Sequence, residues 1–353
     1  MSGLSILVVI VNYRTAGLTI ECLRSLAPEI AENPRTAVVV VDNASDDGSA
    51  EAISTAIEAE HWGTWATLVR APVNGGFAYG NNVALRPALA SDQPPDFVWM
   101  LNPDTCVRPS AMSELVVFLR THPQAGIVGS SIELEDGTLW PHAFRFPSLW
   151  SELATALRLR VVGAMLRSRT TLLLMGDRAE RVDWLPGASM MVRRGVFDSV
   201  GLMDEGYFLY FEETDFCLHA ARVGWECWYV PQSRVMHIAG QSTGVTGAEA
   251  AKNRRPTYWF ESRRRFWIKN HGWLYAAATD LVWALGFLIW KVRSAVQRKP
   301  RVDPPYYLRD FLRHSAMFHT STPTNARAKL ASFEAKNAHL GLGVTSRAGR
   351  DQR

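Results

Sequence analysis

The chain has 353 residues, 47 % hydrophobic and 20 % charged, a balance that excludes a disordered chain and fits one large α/β domain with an appendage, or two domains. The net charge of +4 hides a division: residues 1–251 carry 18 Lys/Arg against 28 Asp/Glu, whereas residues 252–313 carry 14 against 4. The four cysteines, Cys22, Cys106, Cys217 and Cys227, form no CxxC pair, which argues against a disulfide framework and fits a reducing compartment.

In chain order, "LSILVVIVN" (4–12) is a β-branched run that reads as a buried strand, since no basic residue precedes it and no cleavage site follows. Residues 16–27 place Leu18, Cys22, Leu23 and Leu26 at helical spacing. "AVVVVD" (37–42) predicts a second buried strand, and "NASDDGS" after it a turn with a helix start. A helix over 49–59, a strand near 67–70, a Gly/Asn loop over 74–82, a further helix and the strand "FVWML" (97–101) follow. This alternation of apolar strands with helices predicts a parallel sheet covered on both faces. Ligands of such sheets bind beyond the carboxyl ends of the strands, where "VDNAS", "NGGFAYGNN" and "LNPDT" lie.

Residues 126–141 predict strands about a turn at Asp136-Gly137, and 149–180 a basic helical stretch that becomes loop-like. "VDWLPGASMMVRR" (182–194) returns to strand character, and "WECWYVP" predicts a strand ending near His237. From residue 252 Arg and Lys mix with aromatics, which predicts a surface that meets phosphates. "GWLYAAATDLVWALGFLIW" (272–290) is apolar over about 28 Å, barely a membrane span. Asp280 near its middle would cost on the order of 3 kcal/mol in lipid. The expectation is therefore a helix lying in the membrane interface, with Trp273, Trp283 and Trp290 as anchors. The alternatives are a helix packed on the body or in a homodimer, and a helix that spans the membrane. Residues 321–353 read as a weakly ordered tail.

Several residues carry candidate chemistry. Asp42 ends a strand and can accept from a base or ribose, or cap a turn. Asn74, Gly75 and Gly76 permit close backbone approach to a nucleotide, although the loop matches neither a dinucleotide fingerprint nor a phosphate-binding loop. Asp104 supplies an oxygen ligand for Mg2+ or Mn2+ held with substrate phosphates. His237, at another strand end, is a second ligand candidate that would favour Mn2+. "FLYFEETDFC" (208–217) sets Glu212, Glu213 and Asp215 among aromatics, where carboxylates need a cation, a donor or a proton. Nucleic-acid binding would explain the basic segment but neither these acids nor Asp104, so no nucleic acid is expected.

The order of these pieces, with Asn102-Pro103-Asp104, Gly187-Ala188 and His237 with Ser242, resembles family 2 inverting glycosyltransferases of the GT-A fold, over about residues 4–245. The resemblance is to the rhamnosyltransferase-like branch. It implies a Rossmann-like, mostly parallel central sheet flanked by helices, in a domain over 1–250. Residues 1–130 would bind the nucleotide sugar and 131–250 the acceptor; 251–320 would be a helical, membrane-associating extension. It implies that Asp42 contacts the base, that Asn74, Gly75, Gly76 and Asn102 line the donor site, and that Gly187 and Ala188 shape the sugar pocket. Asp104 matches the last carboxylate of a DxD-type metal motif whose first acid is Asn102 here, and His237 a further ligand. Glu213 stands where the family usually places an Asp base, with neighbouring carboxylates expected to raise its pKa and with Glu212 and Asp215 beside it. The implied activity is sugar transfer from a dTDP- or UDP-linked donor, dTDP-rhamnose first, to a lipid-linked or growing glycan. The implied location is the cytoplasmic face of the membrane, with Arg254, Arg255 and Arg263 to Arg265 meeting lipid phosphates. A catalytically silent subunit of a glycan-assembly complex is the non-enzymatic alternative.

Overall fold

The computed structural model describes residues 3–159, 165–166, 170–238, 253–298 and 303–325. The strands are β1 (Ile6–Asn12), β2 (Thr36–Asp42), β3 (Ala66–Arg70), β4 (Phe97–Leu101), β5 (Thr105–Val107), β6 (Ala125–Glu133), β7 (Leu139–Trp140), β8 (Ala143–Phe144), β9 (Leu172–Leu173), β10 (Glu180–Val182), β11 (Ser189–Arg193) and β12 (Glu226–His237). The helices are α1 (Ala16–Glu32), α2 (Ser49–Ala59), α3 (Gly76–Leu89), α4 (Ala111–Thr121), α5 (Leu149–Leu157), α6 (Arg194–Val200), α7 (Glu212–Arg222), α8 (Thr257–His271), α9 (Trp273–Val296) and α10 (Tyr307–His314).

The main sheet runs β10-β12-β6-β11-β4-β1-β2-β3, with β5 paired to β12 and β7 to β6. β1, β2, β3 and β4 are parallel neighbours, as are β6 and β12. β11 runs antiparallel between β4 and β6. The apolar run of β1 is buried on both faces because its residues alternate between two cores. Ile6, Val8 and Ile10 pack in one cluster with α1 and α4, and Leu7, Val9 and Val11 in the other with α3. The Gly/Asn loop expected over 74–82 is shorter than its composition suggests. Helix α3 begins at Gly76 and takes in the rest of the stretch, because Asn81 and Asn82 find partners in Phe77 O and Met203 O.

The C-terminal helices share a core with the body. Tyr207 of the body packs in one cluster with Phe266, Trp267, Ala276 and Ala316, and Ala156 of α5 in another with Trp283, Phe287 and Trp290 of α9. Two of the three expected tryptophan anchors are thereby corrected. Trp283 and Trp290 are buried against protein, and only Trp273 is exposed, donating through its ring N–H to Ala316 O. Asp280 is also resolved within the protein. Its carboxylate is buried and pairs with Arg263 while accepting from Ser315 Oγ and Ala316 N–H, each at 2.7 Å. Arg263 extends the network to Glu152 at 2.7 Å.

The opposite face of α9 is apolar and exposed. Leu274, Leu281, Leu285, Leu288, Val292 and Val296 form one stripe with Ile289 beside it. The helix is long and apolar enough to cross a membrane, but its other face is protein-packed. Removing one partner of a buried ion pair leaves an uncompensated charge. Asp280→Ala is thus expected to lower stability by about 3–5 kcal/mol, measured by urea unfolding. A loss under about 1 kcal/mol, the range of an exposed pair, would show that Arg263 finds another partner.

Candidate active site

Four strand ends meet at the carboxyl edge of the sheet. Asn12 ends β1 directly opposite Asp42, which ends β2. Asn12 Nδ2 and Ser45 Oγ both donate to Asp42 Oδ1, at 2.7 and 2.5 Å, and the Ser45 N–H donates to Oδ2 at 3.2 Å. The turn-capping contact is therefore present, and the buried carboxylate is held in one orientation. Beside it, Asn74 Oδ1 accepts from the Gly76 N–H and from Asn43 Nδ2, both at 3.1 Å.

Gly76 has φ +87°, and a Cβ there would lie 1.8 Å from Phe208 O, so only glycine fits. This contact, with the Phe77 N–H donating to Phe208 O at 3.0 Å, seats the start of α3 on the segment that leads into the acidic cluster. Asn325 Nδ2 donates to Gly75 O at 2.7 Å, bringing the C-terminal segment onto the same turn.

The Asn102-Pro103-Asp104 turn leaves β4. Because β11 is antiparallel to β4 and pairs Ser189 with Leu101, the dipeptide before it, Gly187-Ala188, lies over this turn. The Asn102 N–H donates to Ala188 O at 3.2 Å. The Gly187 N–H donates to Glu213 Oε1 at 3.1 Å. Two adjacent residues thus bridge the Asp104 turn and the acidic cluster. β12 pairs antiparallel with β5, placing His237 opposite Thr105, and the Ile238 N–H donates to Asp104 O at 3.1 Å. His237 Nε2 consequently lies 3.1 Å from Asp104 Oδ1 and 3.3 Å from Asn102 Nδ2.

A carboxylate and an imidazole at this separation suit two neighbouring donors of a divalent cation. Among the described residues no group of three His, Cys, Asp or Glu side chains is gathered around an ion position, so further donors must come from substrate, water or side-chain movement. Ser242 lies outside the described residues.

The family model for "Glycosyltransferase like family 2" matches residues 4–260. The chain is 30 % identical over 313 residues to N-acetylglucosaminyl-diphospho-decaprenol L-rhamnosyltransferase of Mycobacterium tuberculosis (strain CDC 1551 / Oshkosh), covering 83 % of this chain and 95 % of that one. The chain belongs to glycosyltransferase family 2. It is also 27 % identical over 167 residues to the rhamnosyltransferase WbbL of Escherichia coli (strain K12), covering 46 % of this chain and 61 % of the relative. Among solved structures, GalNAc-T7 with UDP, GalNAc and Mn2+ superposes with a TM-score of 0.56 at 15 % identity, covering 88 % of this chain and 57 % of that one. At that identity it speaks to the fold, and it bears out the mostly parallel GT-A sheet.

In this glycosyltransferase the three acids open α7 but have different surroundings. Glu213 is half-buried and accepts from Gly187. Burial pushes its carboxyl above the ordinary carboxylate range, partly offset by its own N–H and that of Gly187. The expectation that neighbouring carboxylates raise it is thus corrected, since burial is the cause. Glu212 is fully buried, and its Oε2 has no hydrogen-bond partner. Burial, followed by the charge of Glu213, pushes it far above the ordinary range. Asp215 is satisfied by a cation and two donors: Lys269 Nζ at 2.6 Å, Asn270 Nδ2 at 2.6 Å and Tyr207 Oη at 3.1 Å.

Tyr210 and Phe211, immediately before the acids, have φ of 71° and 70°. Such conformations cost about 1–2 kcal/mol for each residue and concentrate at functional sites. Ser262 of α8 holds this bend by donating to Leu209 O at 2.9 Å. The aromatic rings around the acids are packed on the same helix: Phe208 and Tyr210 lie 5.1 and 6.3 Å from Tyr258, and Phe211 5.5 Å from Phe266.

The arginines expected to meet lipid phosphates are corrected too. Arg254 pairs with Asp310, Arg263 with Asp280 and Glu152, and Arg265 with Asp204, while Arg264 donates to His314 O. Arg255 also has an interaction partner. Four buried or half-buried carboxylates on the body and on α9 and α10, Asp204, Glu152, Asp280 and Asp310, are paired by Arg254, Arg263 and Arg265.

Residues missed by the sequence reading are Asn12, Tyr207, Lys269, Asn270 and His142. Asn12 follows a strand run with a polar side chain, a readable signal; the others depend on tertiary packing. His142 is buried, and its ring lies 6.3 Å from that of His237. Burial, with a smaller effect from His237, pulls it down to about 3.

Glu212 yields a stability prediction. With its folded-state pKa raised, the folded chain binds a proton more tightly than the unfolded chain, so stability falls as pH rises above the ordinary glutamate range. Glu212→Gln is therefore expected to melt at a higher temperature than the native chain at pH 8, by a margin that shrinks towards pH 5. A melting point at pH 8 equal to or below the native one would contradict this account.

Proposed function

We propose that this enzyme catalyses inverting transfer of a sugar from a nucleotide-diphosphate donor to a lipid-linked glycan, with Glu213 as general base. The observation that carries the reading is the Gly187-Ala188 bridge, hydrogen-bonded at one end to the Asn102–Asp104 turn and at the other to Glu213. It sets a candidate diphosphate-side acid and a candidate base at opposite ends of one dipeptide. Asp42 and the Asn74-Gly75-Gly76 turn hold the nucleoside, Asn102 and Asp104 face the diphosphate, and Gly187 and Ala188 leave room for the sugar.

Glu213 takes the proton from the acceptor hydroxyl as its oxygen bonds to C1, and the C1–oxygen bond to the diphosphate breaks on the opposite face. The Gly187 N–H orients the carboxylate, and its raised pKa makes it a stronger base at neutral pH. Asp104 and His237 would hold a divalent cation, which when bound supplies positive charge against the leaving diphosphate. Asp215 and Lys269 brace α7 beneath the base. The names of the relatives support rhamnose as the first sugar to test, offered as dTDP-rhamnose, and a polyprenyl-diphosphate sugar as the first acceptor; UDP-hexose and UDP-N-acetylhexosamine belong in the same screen.

The membrane contact we infer is the exposed stripe of α9, supplemented by a groove of ≈ 690 Å³ lined by Leu308, Arg309, Leu312, Arg313 and Phe318. It would hold the enzyme peripherally on the cytoplasmic face, with α9 in the interface plane.

Glu213→Gln keeps an oxygen for the Gly187 N–H and removes the base. It is expected to lower kcat by about 10²–10⁴-fold while nucleotide-sugar protection against thermal unfolding is unchanged. Transfer at the native rate would remove Glu213 from the reaction. Replacing Leu281, Leu285 and Leu288 together by Gln is expected to shift the protein from sedimenting lipid vesicles to the supernatant without altering its melting temperature. Undiminished co-sedimentation would put the membrane contact elsewhere.

A further inference from the structure

His142 has no part in the reaction proposed above. It lies between β7 and β8, is nine-tenths buried and has a ring Nε2 without a hydrogen-bond partner. Buried polar atoms are almost always paired, and an exception calls for an explanation such as a bound ion. The ring meets His237 edge-on, with centroids 6.3 Å apart and planes at 68°. His237 Nε2 is in turn 3.1 Å from Asp104 Oδ1. An imidazole with an unpaired nitrogen therefore stands edge-on to the His237 ring of the Asp104–His237 pair.

We propose that His142 is a third protein donor to the divalent cation held by Asp104 and His237, drawn into the coordination shell when the ion binds. This rests on the reading of Asp104 and His237 as metal ligands. Asn102 makes the inference chemically pointed. It replaces an acid of the DxD-type motif with an amide that carries no charge, so the site has one anionic ligand fewer. A second imidazole restores a strong donor without restoring charge. Two nitrogens beside one carboxylate bias the site away from Mg2+, which prefers oxygen, and towards Mn2+ and later ions. The present separation places His142 outside direct ligation, so a side-chain movement accompanies binding.

The test counts nitrogen ligands on the ion. Full-length protein is loaded with Mn2+ and UDP or dTDP, and pulsed electron paramagnetic resonance reads the 14N couplings of directly bound imidazoles. The native chain is expected to show two, and His142→Gln and His237→Gln one each. Mn2+ affinity in His142→Gln is expected to fall about tenfold, with Mg2+ affinity changing less than about threefold. One coupling in the native chain that disappears in His237→Gln would overturn the role of His142 and leave Asp104 and His237 as ligands. No coupling would overturn both readings. Two couplings that persist in His142→Gln would likewise exclude His142. The native count is decisive even if a variant fails to fold, which circular dichroism reports separately.

Discussion

A carboxylate in an apolar interior needs a cation, several N–H donors or a proton, and this constraint organises the site. Three acids stand together at the start of α7, and each meets the constraint differently. Asp215 takes Lys269. Glu213 takes the Gly187 N–H and partial exposure. Glu212, buried with an unpaired oxygen, is driven towards its protonated form. Of the three, Glu213 combines a raised pKa with an orientation set by backbone N–H donors, as the proposed base requires.

The same constraint explains why the C-terminal helices belong to the body. Lys269 reaches both Asp204 and Asp215, at 2.7 and 2.6 Å, and Arg265 is bonded to Asp204. Within the C-terminal segment, Arg263 neutralises Asp280. Arg254, Arg263, Arg265 and Lys269 are therefore spent on internal acids. The membrane contact proposed above therefore rests on the apolar stripe of α9 and not on these cations. Because α8 also supports the strained bend at Tyr210 and Phe211, the exposed apolar stripe and the candidate site are built on consecutive helices.

Strand direction does the rest. The strands that run together, β1, β2, β4 and, through β6, β12, bring Asn12, Asp42, the Asn102–Asp104 turn and His237 to the carboxyl edge. The antiparallel strand β11 begins where β4 ends and brings Gly187-Ala188 across that edge. β12, antiparallel to β5, returns His237 to Asp104 over a sequence separation of 133 residues. The candidate-site residues meet because strands that run together end at this edge while β11, running against them, starts from it.

Much of this was legible in the sequence because it is local. The β-branched runs at 6–12 and 36–42, the helix starts and the acids at 212–215 depend on periodicity and neighbouring residues, and the order of motifs identified the family. The fate of charged and aromatic residues over 252–313 was not legible. Arg263 beside Phe266 and Trp267 looks the same whether it faces phosphate or a buried Asp280, since nothing within a helical turn distinguishes them. His142 carried no local signal at all. Sequence alone determined which elements form and which chemistry-bearing residues end them, because both are set by side chains a few positions apart. Only the tertiary structure decided which acid keeps its charge, which cation neutralises which carboxylate and which face of α9 is left open, because burial and long-range pairing come into being when distant segments pack.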